Sequence, residues 1–299
     1  VVAVWTVAVR DSFAAVVGYT VYGLLLALAW VRLAAVDAAL TEAAIGGGLT
    51  GVLLIRAAVR LRQTEAVSRA ETPGPLFRVM AALVAAGIAA ALAVVVLSLP
   101  EPGPTLAPPV AQHIATTGLG NAVTAVLLSF RAIDTLLEAV VLIFALIAVW
   151  TLTPDRFWGG LPGPKYETDP NGMLAYLARL LPPIGIVVAV YVLWVGADLP
   201  GGKFQAGTLL AAMWLLAIMA GLTEAPPISR RWLRGMLVAG TVVFLVIGFA
   251  GVPLAGAFLA YPEGYAKPLI IAIEAASMAS IAFTLALLVL GPPERSDRP

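Results

Sequence analysis

Long apolar runs recur along this chain, and they restrict its fold more than any other feature. Several runs approach or exceed the roughly 20 consecutive apolar residues that a helix needs to cross a bilayer. Charged residues account for 12% of the 299 residues, whereas roughly 25% is usual in soluble domains. We therefore predict an all-α fold, that of a polytopic membrane protein built from transmembrane helices.

Hydropathy predicts eight spanning segments. The fourth segment, 119–152, is too long for one perpendicular helix at about 1.5 Å of rise per residue. We expect it to be tilted, kinked, or split into a short partial helix before Phe130 followed by a full helix. The eight segments cover approximately residues 12–31, 36–59, 79–99, 119–152, 183–198, 206–222, 235–258 and 269–290.

Basic residues alternate between the two sides that these segments define. Twelve Lys and Arg residues lie in one set of connections and in the C-terminal tail, whereas the opposite connections carry only Lys203 and Lys267. Cytoplasmic connections are enriched in Lys and Arg, so we place the first set and the C-terminus in the cytoplasm. The twelve residues are Arg60, Arg62, Arg69, Arg78, Arg156, Lys165, Arg179, Arg230, Arg231, Arg234, Arg295 and Arg298.

The composition excludes several classes of chemistry. The chain has no cysteine and a single histidine, His113, which excludes disulfides, thiolate-held iron–sulfur clusters and bis-histidine haem ligation within this chain. A net charge of +1 gives no reason to expect nucleic acid. We predict no catalytic residue, metal ligand or cofactor in this chain. His113 lies in a predicted outer loop, where we expect a solvated side chain, with a proton relay as the alternative.

Two polar connections divide the chain into modules. Residues 63–75 end in Pro-Gly-Pro, and residues 154–172 are rich in proline, glycine and charge, as is typical of breaks between elements. We therefore expect three modules, 1–73, 74–160 and 173–299. Residues 1–10 look like the end of a helix rather than a signal peptide. No internal repeat is visible, which disfavours a self-sufficient carrier built from inverted repeats.

Three charged residues interrupt the apolar segment 121–150. Arg131, Asp134 and Glu138 have i, i+3 and i+7 spacing, so they project from one face of a helix. Each charge at the centre of a spanning helix costs roughly 2.5–3.5 kcal/mol. The triplet must therefore be paired, or face protein or water. One interpretation is a row of groups for proton hopping, and the other is a structural ion pair that locks two helices together.

Two carboxylates stand in the first module, just before a run of glycines. Asp37 and Glu42 project roughly 140° apart on a helix with about 100° per residue, and Glu42 is the deeper of the two. They are either an interfacial helix N-cap and a buried packing acid, or protonatable sites. Gly47 and Gly51 favour close helix packing over phosphate binding, because no P-loop lysine follows.

The third module offers a glycine-rich outer turn and one acid within a span. The turn LPGGKFQAG carries Lys203 and Gln205 into the next segment, and its glycines indicate a sharp or re-entrant backbone that protein or water must cover. We expect Lys203 to snorkel towards the headgroups, with a buried role as the alternative. Glu274, flanked by small residues, is expected to be a buried functional or helix-bridging carboxylate.

These three stretches resemble parts of one known family. The run VDAALTEAAIGGGL and the residues before it resemble the C-terminal extension of the A subunit of Mrp-type multisubunit Na+/H+ antiporters and the D subunit of membrane-bound hydrogenases. The run NAVTAVLLSFRAIDTLLE resembles the adjoining hydrogenase E-like module. Residues from about 180 to 290, with PGGKFQAG, resemble the antiporter B subunit, in which P-G-G-G-F-Q-x-G is usual. The order of the modules also matches.

The resemblance implies packed transmembrane helices within a larger assembly in a prokaryotic cell membrane, with antiporter-like proton-pumping subunits as partners. On the matching positions it implies a proton or sodium path. The chain departs from the pattern at Leu137, where a small residue is common, and at Lys203, which replaces a glycine. The alternative is a bridging subunit of a redox-driven complex with no ion path of its own. The residues carried over to the path are Asp37, Glu42, Arg131, Asp134, Glu138, Lys203, Gln205 and Glu274.

Overall fold

The structure is a computed structural model that describes residues 1–9, 11–68, 74–166 and 168–296. It is 74% helical with almost no strand, which confirms the prediction of an all-α polytopic membrane protein. In the described residues seven helices are long and apolar enough to cross a membrane. Arg69 and Arg298, counted above among the basic residues, lie outside the described residues.

The N-terminal part consists of consecutive helices joined by short connections. Asp11 caps the second helix by accepting a hydrogen bond from the backbone N–H of Ala14 at 2.7 Å. A π-helical segment, Glu42–Leu49, joins the third and fourth helices into one span. These helices are α1 (Val2–Ala8), α2 (Ser12–Arg32), α3 (Val36–Thr41), α4 (Thr50–Ser68) and α5 (Pro75–Leu97).

The middle and C-terminal parts supply the remaining helices and one small strand pair. The pair consists of β1 (Leu161–Pro162) and β2 (Pro293–Arg295), which are antiparallel. The helices are α6 (Ala107–His113), α7 (Ala122–Ala125), α8 (Ala132–Trp150), α9 (Met173–Val195), α10 (Lys203–Met219), α11 (Arg231–Ala255) and α12 (Ala266–Leu290).

The long fourth segment is split, which is one of the alternatives that its length allows. The helix α7 passes into a π-helical turn, Val126–Phe130, and the chain leaves helical geometry at Arg131, with φ −132° and ψ 38°. The freed carbonyl groups find partners, because Thr135 donates to the Leu127 oxygen and Tyr261 donates to the Leu128 oxygen at 2.7 Å. Such pairing is required of irregular backbone at membrane depth.

Two boundaries differ from the hydropathy prediction. The helix α9 begins at Met173 and continues through Pro182 and Pro183, whereas the prediction places its start near residue 183. Membrane helices tolerate proline because neighbouring groups satisfy the freed backbone. The helix α6 occupies part of a predicted loop, and the helical pair Ala107–Thr117 and Ala122–Phe130 bends by 87°.

The core lies around α12, which packs against α8, α10 and α11. Two thirds of its spanning window, 67%, is buried. The hydroxyl of Ser280 joins α12 to α11: it accepts from the Gly240 N–H at 2.8 Å and donates to the Met236 oxygen at 2.7 Å. Small residues allow this close approach, as is typical of helix contacts in membranes.

The connections group at two opposite ends of the bundle. At one end, the N–H groups of Gly120 and Asn121 donate to the Ala197 oxygen at 3.0 and 3.1 Å. At the other end, β1 pairs with β2, and Arg60 forms an ion pair with Glu294 at 2.6 Å. The described basic connections lie at this second end, in agreement with the alternation found in the sequence.

Candidate functional site

The site is built on the turn between α9 and α10, at the end opposite to the strand pair. The turn is tight because Gly202 adopts φ 136°, a conformation that side-chain-bearing residues rarely adopt. Its backbone N–H donates to the Val192 oxygen at 3.1 Å. The neighbouring Gly201 N–H points to another part of the chain and donates to Asp37 Oδ1 at 3.0 Å.

Asp37 is the point at which the three parts of the chain meet. Besides the Gly201 N–H, it accepts hydrogen bonds from the side-chain amide of Asn121, with Nδ2 at 3.3 Å from Oδ1 and 3.4 Å from Oδ2. The same amide donates to the Leu199 oxygen at 3.0 Å. The N-cap interpretation of Asp37 is wrong, because the N-cap of α3 is Ala35 and the carboxylate bonds across to other helices.

Gln205 extends these contacts by one helical turn. Its amide nitrogen donates to the Thr41 hydroxyl at 3.0 Å, and that hydroxyl donates to the Asp37 backbone oxygen at 3.0 Å. The amide oxygen of Gln205 and Glu274 Oε1 both lie close to Gly202, at 3.4 and 3.3 Å from the position that a Cβ would take there. The first and third modules are therefore joined by side-chain hydrogen bonds as well as by packing.

Lys203 is buried, so the snorkelling prediction is wrong. It is 6% exposed because the turn folds inward and α10 begins beneath α12, rather than at the surface of the bundle. Its ammonium lies 5.6 Å from the ring centroid of Phe204 and 5.9 Å from that of Phe244. Glu274 and Glu138 are its electrostatic partners, in that order of strength.

Glu274 is 4% exposed, which confirms the prediction of a buried carboxylate. Its strongest electrostatic partner is Lys203. Its Oε2 atom is buried with no hydrogen-bond partner among the described residues. A buried carboxylate with one unsatisfied oxygen is costly to maintain, so this position favours a role beyond packing.

The charged row at the start of α8 lies largely on the exposed surface of this chain, and its member Glu138 also acts electrostatically on buried Lys203. Arg131 pairs with Asp134, as predicted, but their side chains are 64% and 47% exposed. Glu138 is exposed too. Arg131 does not lie inside a continuous helix, since the chain breaks there. The break follows from the π-helical turn, which a pattern of apolar spacing does not encode.

Glu42 stands apart from the residues around the turn. Its carboxylate folds back over its own π-helical segment at Gly46 and lies towards Gly23 of α2. It points away from Asp37, consistent with the roughly 140° that separates the two on a helix. His113 is exposed, and its Nδ1 lies 2.8 Å from the Pro109 oxygen.

A small cavity of about 20 Å³ lies between α8, α10, α11 and α12, which is room for about one water molecule. Lys203, Thr241, Ser277 and Thr284 are among the residues that line it. The hydroxyl of Ser277 is buried with no hydrogen-bond partner among the described residues. The sequence prediction missed these hydroxyls, although the spacing of Ser277 and Thr284 after Glu274 places all three on one face of α12.

The sequence prediction also missed an ion pair and a tyrosine at the same end. Lys267 bonds both oxygens of Asp198, at 2.8 and 2.7 Å, and this hydrogen bonding lowers the pKa of Asp198 from its ordinary value. Burial raises the pKa of Tyr261. Both lie in connections where hydropathy carries no signal.

Comparison with known proteins gives two of the three partial matches that the sequence suggested. Residues 173–292 match a domain related to the MnhB subunit of the Na+/H+ antiporter, and residues 1–63 match the family of the MBH D subunit. An uncharacterized protein of Methanocaldococcus jannaschii is 25% identical over 154 residues, which cover 46% of this chain and 59% of that protein.

Two solved structures share the fold. A chain in the structure of the Mrp complex from Dietzia sp. DQ12-45-1b has a TM-score of 0.69 and 26% identity, covering 100% of this chain and 34% of that chain. A chain of the membrane-bound sulfane sulfur reductase (MBS), an archaeal respiratory membrane complex, has a TM-score of 0.59 and 24% identity, covering 72% of this chain and 97% of its own. The chain thus spans about a third of the Mrp chain.

The fold and these matches define a multi-pass membrane protein of the class found in the Mrp and MBS complexes. Within that class the chain fits an Mrp B-type subunit. Its MnhB-related domain contains α9 to α12, and its domain similar to the MBH D subunit contains Asp37 and Glu42. The resemblance is confirmed for the first and third stretches, and the similarity of the middle stretch to a hydrogenase E subunit stays a prediction.

Proposed function

We propose that this chain is a membrane subunit of an Mrp-type cation/proton antiporter, or of a related ion-translocating complex, and that it contributes part of a proton or sodium path. The observation that carries the proposal is the burial of Lys203 and Glu274 at a turn where all three parts of the chain meet. Buried ionisable groups inside a membrane bundle are expensive, and such groups commonly mark ion pathways.

The path runs sideways through the chain. Glu138 on the exposed face of α8 lies at one end, and its charge acts on buried Lys203. Lys203 is next to Glu274, and Glu274 interacts electrostatically with Asp37. The water-sized cavity beside Lys203 supplies room for a bridging molecule. Arg131 and Asp134 extend the row on α8, Gln205 orients the turn, and Glu42 is a separate group of the first module.

Other membrane subunits are the proposed partners. The exposed face of α8 presents Asp134 and Glu138 within a helix suited to span the membrane, and Arg131 lies directly before its first residue. Each charge left in lipid there costs roughly 2.5–3.5 kcal/mol, so a partner helix with polar groups is expected to cover this face. The Mrp and MBS structures are both membrane complexes, which supports antiporter-like proton-pumping subunits as the neighbours.

We place the protein in a prokaryotic inner membrane with its C-terminus in the cytoplasm. The basic connections lie at the end that carries the strand pair, and cytoplasmic connections are the ones enriched in Lys and Arg. The turn between α9 and α10 then faces the outside. Reporter fusions after Arg295 and within residues 199–202 test this orientation by their accessibility from either side.

The ion path is tested with charge-removing variants of near-identical shape. Glu274→Gln and Glu138→Gln in the assembled complex should lower proton movement in everted membrane vesicles by roughly ten- to a hundredfold, the order expected when a proton-transfer group is lost. Glu263→Gln, at an exposed acid of the last outer connection, is the matched control. Unchanged movement in both path variants, with normal assembly, contradicts the proposal.

The second candidate is a bridging subunit of a redox-driven complex with no ion path of its own. The ion pair between Arg131 and Asp134 favours it, since exposed paired charges on a membrane helix suit a docking contact. If the chain is a bridging subunit, Asp134→Ala lowers the yield of assembled complex while ion movement per assembled complex stays unchanged. If the chain contributes an ion path, ion movement per complex falls with Glu138→Gln.

A further inference from the structure

Lys203 carries its ammonium group in surroundings that are unfavourable for a positive charge. It is the first residue of α10, where the helix dipole presents its positive end and disfavours cations. It is also 6% exposed, so water does not compensate the charge. The cost of burying an ammonium must be met by anionic groups and hydrogen bonds. The groups around Lys203 therefore have to compensate one buried monovalent charge.

The surroundings of the ammonium have the composition of a cation site. Two carboxylates from different helices, Glu274 of α12 and Glu138 of α8, are its electrostatic partners. Phe204 and Phe244 present their rings at 5.6 and 5.9 Å, a distance at which a ring face attracts a cation. Among the described residues, no carboxylate oxygen lies within 4.0 Å of the ammonium. No direct ion pair with a carboxylate of the described residues therefore holds the ammonium.

The neighbouring cavity has no anionic ligand for a metal cation that would bind in addition to the ammonium of Lys203. It is lined by Lys203 itself and by hydroxyl and apolar side chains, including Thr241, Ser277 and Thr284. A sodium or potassium ion placed there would face the ammonium at close range, and two like charges a few ångströms apart repel strongly in a poorly hydrated interior. A water molecule fits the same space and can take part in proton transfer.

We propose that Lys203 is a tethered cation that takes the place of an alkali metal ion between Glu138 and Glu274, so that this path is selective for protons over sodium and potassium. This inference rests on the ion path proposed above and names the ion that it carries. Lys203 is then the specificity-determining residue. Replacing its charge should convert the site into one that accepts a metal cation.

The experiment compares cation responses in everted vesicles that contain the assembled complex. Proton movement is measured after addition of NaCl, KCl or choline chloride. The wild-type protein and Lys203→Arg, which keeps the charge, should show the same ratio of sodium or potassium response to choline response. Lys203→Met, which keeps length and removes charge, should gain an additional saturable response to sodium or potassium, at least severalfold above that of the wild type. Lys267→Met, the other outer lysine, is the matched control and should not gain one.

Binding of ²²Na+ to the purified complex gives a readout that does not depend on transport. The wild-type protein should bind no more ²²Na+ at this site than Lys203→Arg, whereas Lys203→Met should bind additional ion that Glu274→Gln removes. An unchanged sodium response in assembled Lys203→Met, or no added ²²Na+ binding in that variant, overturns the tethered cation. If proton movement in Glu138→Gln and Glu274→Gln equals that of the wild type, the proposed ion path is contradicted. The ²²Na+ binding measurement then tests the role of Lys203 independently of the path.

Discussion

The helices α5 and α12 are alike as sequence and opposite as structure. They contain 23 and 25 residues, and both are apolar enough to cross a membrane. None of the spanning window of α5 is buried within the chain, against 67% for α12, although α5 is the more hydrophobic helix. In a membrane protein, a hydrophobic helix surface indicates contact with lipid or with a partner subunit rather than burial within the chain. Lipid is as apolar as these side chains, so no hydrophobic driving force moves them into the bundle.

Small and polar residues occupy the part of α12 that contacts α11. Ser277, Ser280 and Thr284 lie on or near its packed face, and all are buried. They let α11 approach so closely that a Cβ at Gly240 would lie 2.7 Å from the Cα of Ser277. In α5 a Cβ at Gly87 would meet nothing within 4 Å. Substitution of Gly240 therefore tests the tight packing of α12 against α11, and substitution of Gly87 tests the uncovered surface of α5.

The largest effect is expected for Gly240→Leu. The new side chain has no space at the contact of α11 with α12, and overpacking of this kind costs about 1–3 kcal/mol or more. Unfolding of the purified protein in mixed micelles should therefore occur at markedly lower denaturant concentration. Stability equal to that of the wild type would show that the two helices are not in close contact at Gly240.

Gly87→Leu is the matched change on α5. It introduces no clash and exchanges glycine for a better helix former, worth up to about 1 kcal/mol, so the isolated chain should be as stable as the wild type or slightly more so. Assembly of the complex sharpens the comparison. Unchanged assembly means that this side of α5 faces lipid, whereas reduced assembly with normal chain stability means that a partner covers it.

An intermediate effect is expected for Ser280→Ala. The change removes two hydrogen bonds between α12 and α11, to Gly240 and Met236. Hydrogen bonds between membrane helices contribute about 0.6 kcal/mol on average and up to about 1.7, so the loss should be smaller than for Gly240→Leu. Ser98→Ala, at the exposed end of α5, is the control. An equal effect of the two serine changes would contradict the difference between the helices.

The sequence predicts which residues are chemically unusual better than it predicts where they lie. Glu274 is recognisable because a single acid in an apolar span has few explanations. The snorkelling prediction places Lys203 at the headgroups because it takes account only of the end of one helix. The burial of Lys203 depends on a turn that folds under α12. Hydropathy has no information about such long-range packing.

The contacts of Asp37 show the same limit. Its partners Asn121 and Gly201 are 84 and 164 residues away, so no local pattern links them. The break at Arg131 agrees with the split near Phe130 that the length of the segment allows, but the sequence does not choose between a split, a kink and a tilt, because a π-helical turn does not change the apolar composition. By contrast, long apolar segments are largely predictable, since bilayer thickness fixes helix length. Of the eight predicted segments, seven contain described helices long enough to cross a membrane, and the predicted segment 206–222 is a shorter helix of 17 residues, α10.

The smallest effect is expected at the ion pair that fixes the start of α12 to the end of α9. Hydrogen bonding from Lys267 lowers the pKa of Asp198 below its ordinary value of 3.8, so the folded state favours the charged form. The stabilisation is therefore complete above that value and is lost as pH falls through the lowered pKa. Because the pair is exposed, it contributes at most about 1 kcal/mol. Asp198→Asn should lower the melting temperature slightly at pH 6, and the difference from the wild type should shrink towards pH 3 and in high salt. A difference that stays constant down to pH 3 would mean that Asp198 acts through its hydrogen bond from Gly120 and not through its charge.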